Sequence, residues 1–345
     1  MRKILTILLV LMLAISGVAC VDNGESSSSN GVNDSEETFV IIAAHSHNEI
    51  LSVHHFFVYF IEEIEKLSHG RISVTLFPAG QLGGDPDLTT KIQAGEIQMM
   101  GSNISPHSIF MPDLAVFDIQ FVHPNLEIAR KVISDQELLE KVAEIYAEDG
   151  FHHLGFTDSA FGHISANFPI MSPADMKGLP IRSRINSFHV AAWEAIGADP
   201  VSLSIGQIFT SLQEGVIVAQ ENPLEQSILF GFYQLQTHFT ESNHFLHVNT
   251  YVMCKEFYNS LPEDLQSAVD QAAMTAILRT QAHHDANMQG QIGYLIYQGI
   301  EFVPLTSGQR AAFTNAVRPS WELVENAVSE EMFRIFFEAV RRSQN

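Results

Sequence analysis

Cysteine and cationic side chains are what this chain has least of. Two Cys in 345 residues, at 20 and 254, exclude a disulfide framework. Eighteen Lys and Arg stand against 40 Asp and Glu, a formal charge of −22. Nucleic acid and anionic membrane surfaces are therefore poor partners, because phosphate binding needs a basic face. Charged residues make up 17% and hydrophobic ones 46%, too apolar for a disordered chain and ample for a core. The length leaves room for one large domain or two. A GxSxG elbow, a P-loop, a GxGxxG turn and an HExxH helix are all missing, so no motif supports an enzyme. Sixteen His are present. The adjacent pairs His54/His55, His152/His153 and His283/His284 point apart, and chelation needs partners that converge. No metal or cofactor is expected.

The N-terminus reads as an export signal. Arg2 and Lys3 precede the apolar stretch 4–15, broken only by Thr6, and Ser16, Gly17 and Ala19 follow. This layout is too short to span a membrane, and no second run reaches that length. Cys20 after small residues resembles a bacterial lipobox, with Gly17 where that motif usually carries an aliphatic. The reading is signal peptide 1–19, lipidation at Cys20 and a polar tether over 20–38; the alternative is simple cleavage near Ala19. The tether holds five Asp or Glu and no Lys or Arg, and cannot bury enough apolar surface to fold. Removing 1–19 takes two positive charges with it, giving −22 − 2 = −24. Cys254, in Tyr-Val-Met-Cys, is expected as a buried thiol. The protein is expected outside the cytoplasm, held to the membrane by its anchor only.

The globular part opens with the continuous apolar run 39–44, a strand buried on both faces. Ile50, Val53, Phe57, Phe60, Ile64 and Leu67 then mark a helix. Residues 71–77 alternate as a strand, and a helix follows near 86–94. This strand–helix alternation predicts an α/β fold with mainly parallel sheet and helices on its faces. Further helices are expected at 134–149 and 188–196, with a short one opened by Ser172-Pro-Ala-Asp175. Short strands are expected at 151–156 and 216–219. Ser260-Leu-Pro-Glu263 opens a long helix, about 263–298. The segment 308–342 reads as helical, kinked or split at Pro319.

Three segments carry more. Phe77-Pro-Ala-Gly-Gln-Leu-Gly-Gly84, then Pro169-Ile-Met-Ser-Pro-Ala-Asp-Met-Lys-Gly-Leu-Pro-Ile-Arg182, then Ser211-Leu-Gln-Glu-Gly-Val-Ile-Val-Ala-Gln-Glu-Asn-Pro223 stand in this order and spacing. Together they resemble the extracytoplasmic solute-binding receptors of TRAP transporters, the DctP type, over about 39–340. The resemblance implies two α/β lobes, 39–159 plus 248–287 and 160–247 plus 288–340. A long helix crosses both, and ligand sits in the cleft between. It implies a small organic acid as ligand and the transporter's membrane subunits as partners. A sensor or an enzyme on the same scaffold is the alternative, since fold does not fix function.

Arg182 matches the family's carboxylate-binding arginine, whose planar guanidinium offers two parallel donors. Arg184, two residues on, is its rival. Asn222 matches a ligand-contacting position, while Gln220 and Glu221 read as structural neighbours. The family often carries a second Arg where this chain has Gly162, beside His163. A second cationic contact is therefore missing or altered, which favours a monocarboxylate over a dicarboxylate, with His163 as a weaker substitute. The resemblance places His45 at the family's first strand end, where ligand groups are often met, and Asn103 follows the apolar stretch 97–100 at the next strand end, where open α/β sheets bind ligands. Ile205 and Phe209 are candidate pocket walls; Trp193 and Asn249 complete the candidates.

Overall fold

The computed structural model describes residues 37–344. The signal peptide, Cys20 and all but the last two residues of the tether lie outside them. Among the described residues, nine strands form one sheet: β1 (Phe39–Ala44), β2 (Ile72–Phe77), β3 (Met99–Asn103), β4 (Phe151–Ala166), β5 (Pro180–Ser183), β6 (Asp199–Ser202), β7 (Ala219–Asn222), β8 (His238–Cys254) and β9 (Glu301–Pro304). The path runs β2-β1-β3-β8-β4-β7-β5-β6, with β9 on the free side of β8.

Both ends of the path are parallel, β2-β1-β3 at one and β7-β5-β6 at the other. The centre is antiparallel, because β4 and β8 pair along almost their whole lengths. These two strands, 16 and 17 residues long, serve both ends. β3 pairs with the second half of β8, whereas β9 pairs with its first half and β7 with the second half of β4. The pairing slips between Asp158 and Phe161 and again between Gly162 and Ile164. Ala160 sits there in the left-handed region, at φ 56°, a conformation that costs any residue with a Cβ.

The early elements form where hydrophobic periodicity places them. Helix Ser52–Leu67 buries Val53, Phe56, Phe57, Phe60 and Ile64 against β1. Helix Asp85–Gln93 has Pro86 in its first turn, where no N–H is needed, and carries Asp85 and Asp87 there too, as the helix dipole favours. Helix Glu263–Tyr297 is 35 residues long, roughly 50 Å. Leu265 to Ala276 pack in the core beneath β1, while Leu295 packs with Phe239 and Ile300 near β9, so the helix joins both ends of the sheet.

Four local expectations change. Strand 151–156 is the first third of β4, and the strand expected at 216–219 lies at Ala219–Asn222. The segment after Ser172 makes a 3₁₀ turn, Pro173–Met176, closed by Asp175 accepting from the Ser172 N–H and hydroxyl. Helix Ser307–Glu325 runs through Pro319, and the break falls at 326–329. There the backbone N–H and hydroxyl of Ser329 donate to Asp113 at 2.6 and 2.7 Å, and Ser329 caps helix Glu330–Ser343. That helix packs Met332, Ile335 and Phe336 among Leu138, Val142 and Phe156. It therefore joins the core at the β1–β3 end of the sheet. Cys254 is a buried free thiol. No helix among the described residues is long and apolar enough to cross a membrane.

Candidate ligand-binding site

A cavity of about 750 Å³ lies at the carboxyl ends of β1, β3, β5 and β7, where an open α/β sheet leaves backbone groups and loops free to meet a ligand. The loop after β1 contributes Ser46 and His47, the end of β3 Asn103, and the first turn of helix Asp85–Gln93 contributes Asp85. The facing wall carries Arg182, Arg184, Asn186, Asn222 and His247.

The facing wall is built on a buried glutamate. Arg182 leaves β5 and is nearly enclosed; its Nε donates to the Leu203 carbonyl and its Nη1 to Glu221 Oε1, both at 3.2 Å. Burial, opposed by Glu221, pushes the Arg182 guanidinium down to about 10, so it stays charged at neutral pH. Arg184 donates from Nε to the same Oε1 at 3.2 Å, its Nη2 lies 2.8 Å from His247 Nδ1, and its guanidinium stacks 5.0 Å over the Phe245 ring. Burial alone would raise the Glu221 carboxyl, but Arg184, His244 and His247 hold it well below the ordinary carboxylate range. Burial and Arg184 push His247 down to about 3, so that imidazole is neutral.

Glycine at 162 has a steric reason here. A Cβ at that position would stand 2.7 Å from Glu221 Oε2 and 3.1 Å from His247 Nε2. The space a side chain would need is filled by the groups that balance the arginines. Arg184 brings a second cation into the cavity from the end of β5, so the site is not limited to one.

Four of the sequence candidates line this cavity: Arg182, Asn222, Asn103 and Ile205. Asn222 is buried, donates from Nδ2 to Gln220 Oε1 at 2.6 Å, and its Oδ1 has no partner among the described residues. Asn103 donates to the Val248 carbonyl at 2.9 Å and accepts from the Ser105 N–H at 3.2 Å. The other five candidates are not on the lining. His45 is buried behind it, 3.1 Å from His54 and stacked on Phe57; burial, with His47 and His54 nearby, pushes it down to about 3. His163 pairs across the sheet with Asn222 and is pushed down to about 4 by burial. Phe209 packs with Ile208 and Phe232 behind Ile205. Trp193 lies in the core near β5. Asn249 pairs with Asn103 across the sheet and donates to Ser159 at 3.2 Å.

Three groups of the site escaped sequence reasoning, Asp85 and His247 on the lining and Glu221 behind it. Asp85 follows directly on the Leu-Gly-Gly motif, and Glu221 lies inside Gln-Glu-Asn, so both were within reach. His247 stands on β8, whose mixed pattern gave no strand signal.

A cleft-like cavity at strand ends, with two long strands and one long helix joining the parts around it, defines a solute-binding protein. The bacterial extracellular solute-binding protein family 7 (DctP) model matches residues 43–327, and the chain belongs to this family, the solute receptors of TRAP transporters. A solute-binding protein of Roseobacter denitrificans is 30% identical over 322 residues, covering 93% of this chain and 96% of the relative. A C4-dicarboxylate-binding periplasmic protein of Rhodobacter capsulatus is 27% identical over 79% of this chain and 80% of its own length. The crystal structure of a TRAP periplasmic solute-binding protein from Ochrobactrum anthropi, its C-terminus bound in the ligand pocket, has the same fold, with a TM-score of 0.85. It is 24% identical and covers 90% of this chain and 97% of that one.

Proposed function

We propose that this receptor takes a small organic acid into the 750 Å³ cavity, holds its carboxylate on Arg182, and delivers it to the membrane subunits of its transporter. The observation that carries the reading is the buried guanidinium of Arg182 on the wall of a cavity at strand carboxyl ends. Such a group meets a carboxylate with two parallel, charge-assisted donors. The name of the Rhodobacter relative, a binder of C4-dicarboxylates, supports the acid class.

For this chain we favour a monocarboxylate. Two guanidinium groups face one ionised Glu221, which leaves a single net positive charge on that wall. Asn222 lines the cavity, and its buried Oδ1 has no partner among the described residues. Ile109 and Ile185, 75% and 72% exposed, also line the cavity and suit an apolar body between them.

The two lobes proposed are 39–159 plus 248–287 and 160–247 plus 288–340, and the packing of the last helix against Leu138, Val142 and Phe156 supports assigning 330–340 to the first of them instead. The irregular β4 pairing around Ala160 is where the lobes would bend on closure. Cys20 is proposed as the lipid anchor. No observation favours catalysis in the cavity over binding.

Calorimetric titration of an acid and its amide against wild type and Arg182→Ala tests the core of this reading. Preference for the acid, lost in the variant, is expected; equal affinity for acid and amide would sink it. Scattering should show a smaller radius of gyration with ligand, and Cys20→Ala should release the protein from membranes. An unchanged radius with binding confirmed, or a wild type already free of membranes, removes the hinge or the anchor respectively.

A further inference from the structure

We propose that the ligand is a zwitterion, with its carboxylate on the arginine wall and its cationic nitrogen on Asp85. This rests on the acid-receptor reading and narrows the substrate class within it.

The charges around the cavity carry the argument. Arg182, Arg184 and Asp85 line it, and Glu221 sits directly behind the two arginines in contact with both. Two positive and two negative groups give a sum of zero. The lining imidazoles do not alter it, because burial holds His47 and His247 below their ordinary value. A dicarboxylate would bring two further negative charges into a cavity whose own charges sum to zero, one of them towards Asp85. A simple monocarboxylate would satisfy the arginines and leave the half-buried Asp85 carboxylate facing the cavity without a counter-charge. A zwitterion places each of its charges beside an opposite one, which offsets the water each charge loses on binding.

Geometry supports the Asp85 end. Asp85 comes from the opposite wall, in the first turn of helix Asp85–Gln93, and is half-buried. Ser46 donates its hydroxyl to Asp85 Oδ1 at 2.5 Å, which fixes the carboxylate. A carboxylate has about four acceptor positions, so one serine leaves room for an ammonium or a quaternary nitrogen. Asn222 Oδ1, buried and without a partner among the described residues, is a second acceptor at the cavity wall. The exposed apolar Ile109 and Ile185 suit a carbon skeleton between the charged ends.

The test uses the full chain and three straight-chain series of four to seven carbons: ω-amino acids, unsubstituted acids and α,ω-diacids, by thermal shift and then calorimetry. The expected result is a preference of about tenfold or more for an ω-amino acid over the acid and diacid of equal length. Asp85→Asn should erase that preference and Asp85→Glu should keep most of it, while Arg182→Ala should weaken every series. A diacid or plain acid that binds wild type as well as its amino counterpart overturns the zwitterion. So does an undiminished preference in Asp85→Asn. If such an acid binds and Arg182→Ala abolishes that binding, the receptor reading stands and only this narrowing falls. If no member of any series binds, both fall.

Discussion

Two buried glutamates four residues apart show how differently this fold treats one side chain. Glu221 ends up between Arg182 and Arg184 beneath the larger cavity, and its carboxyl is held well below the ordinary range despite complete burial. Glu225, past Pro223 in helix Leu224–Leu229, lines a second cavity of about 410 Å³ with His55, His283 and His284. No guanidinium pairs with it among the described residues. Its hydrogen-bonding side-chain partners are serine hydroxyls, Ser52 at 3.1 Å and Ser159, and burial raises its carboxyl above the ordinary value. The difference is the presence of cations. Where two guanidinium groups converge, a buried acid is ionised; where none does, the same acid resists ionisation.

The largest expected effect breaks the first environment. Glu221→Gln leaves the buried guanidinium of Arg182 and the half-buried one of Arg184 facing each other without their counter-charge and should cost about 3 kcal/mol of stability, read from urea unfolding. A loss under about 1 kcal/mol would show that solvent reaches the pair and screens it. Arg182→Ala should weaken binding of the best acid by about 2–5 kcal/mol, with Arg182→Lys recovering little and Arg184→Ala milder. Calorimetry decides, and a near-normal Arg182→Ala would move the anion site elsewhere.

Gly162→Ala pushes a methyl group towards Glu221 Oε2, at 2.7 Å. It should cost about 1–3 kcal/mol, as overpacking does, and should lower affinity because Glu221 positions both arginines. Unfolding and titration of the same sample check both effects.

Glu225→Gln sharpens the contrast from the other side, and its sign depends on pH. The folded-state value is raised, so the wild-type side chain contributes fully below the ordinary carboxyl value. It loses that contribution as pH rises through the raised value. The variant should therefore melt above wild type at pH 8 and with it near pH 4, a small difference that thermal scans resolve. Glu221 runs in the opposite sense: its contribution is present at neutral pH and is lost only as pH falls through its depressed value. Equal melting of Glu225→Gln and wild type at both pH values would mean that the carboxyl of Glu225 is hydrated.

Legibility in the sequence followed locality. The run 39–44, the helix from Val53 to Ile64 and the helix from Glu263 were readable because each announces itself through apolar spacing or a capping signal within its own residues. β8 was not readable: His238–Cys254 mixes His, Thr and Asn with aromatics, and both its flanks are covered by other strands, so no alternation survives. The break near 326 was placed at Pro319 because the chain shows the proline but not Asp113, 216 residues away, waiting for Ser329.

The site divided in the same way. The sequence by itself determined that this is an α/β receptor of the DctP family and that Arg182 and Asn222 stand in motifs at strand ends, because motif order and hydrophobic period are properties of consecutive residues. Only the tertiary structure decided that Trp193, His45 and Asn249 are behind the lining and not on it, and that Arg184, Asp85 and His247 are on it. It alone showed that Glu221 neutralises part of the arginine wall and that Gly162 is the gap which lets it do so. The physical reason is that charge balance and steric room depend on distances between strands far apart in the chain, and no local pattern encodes those.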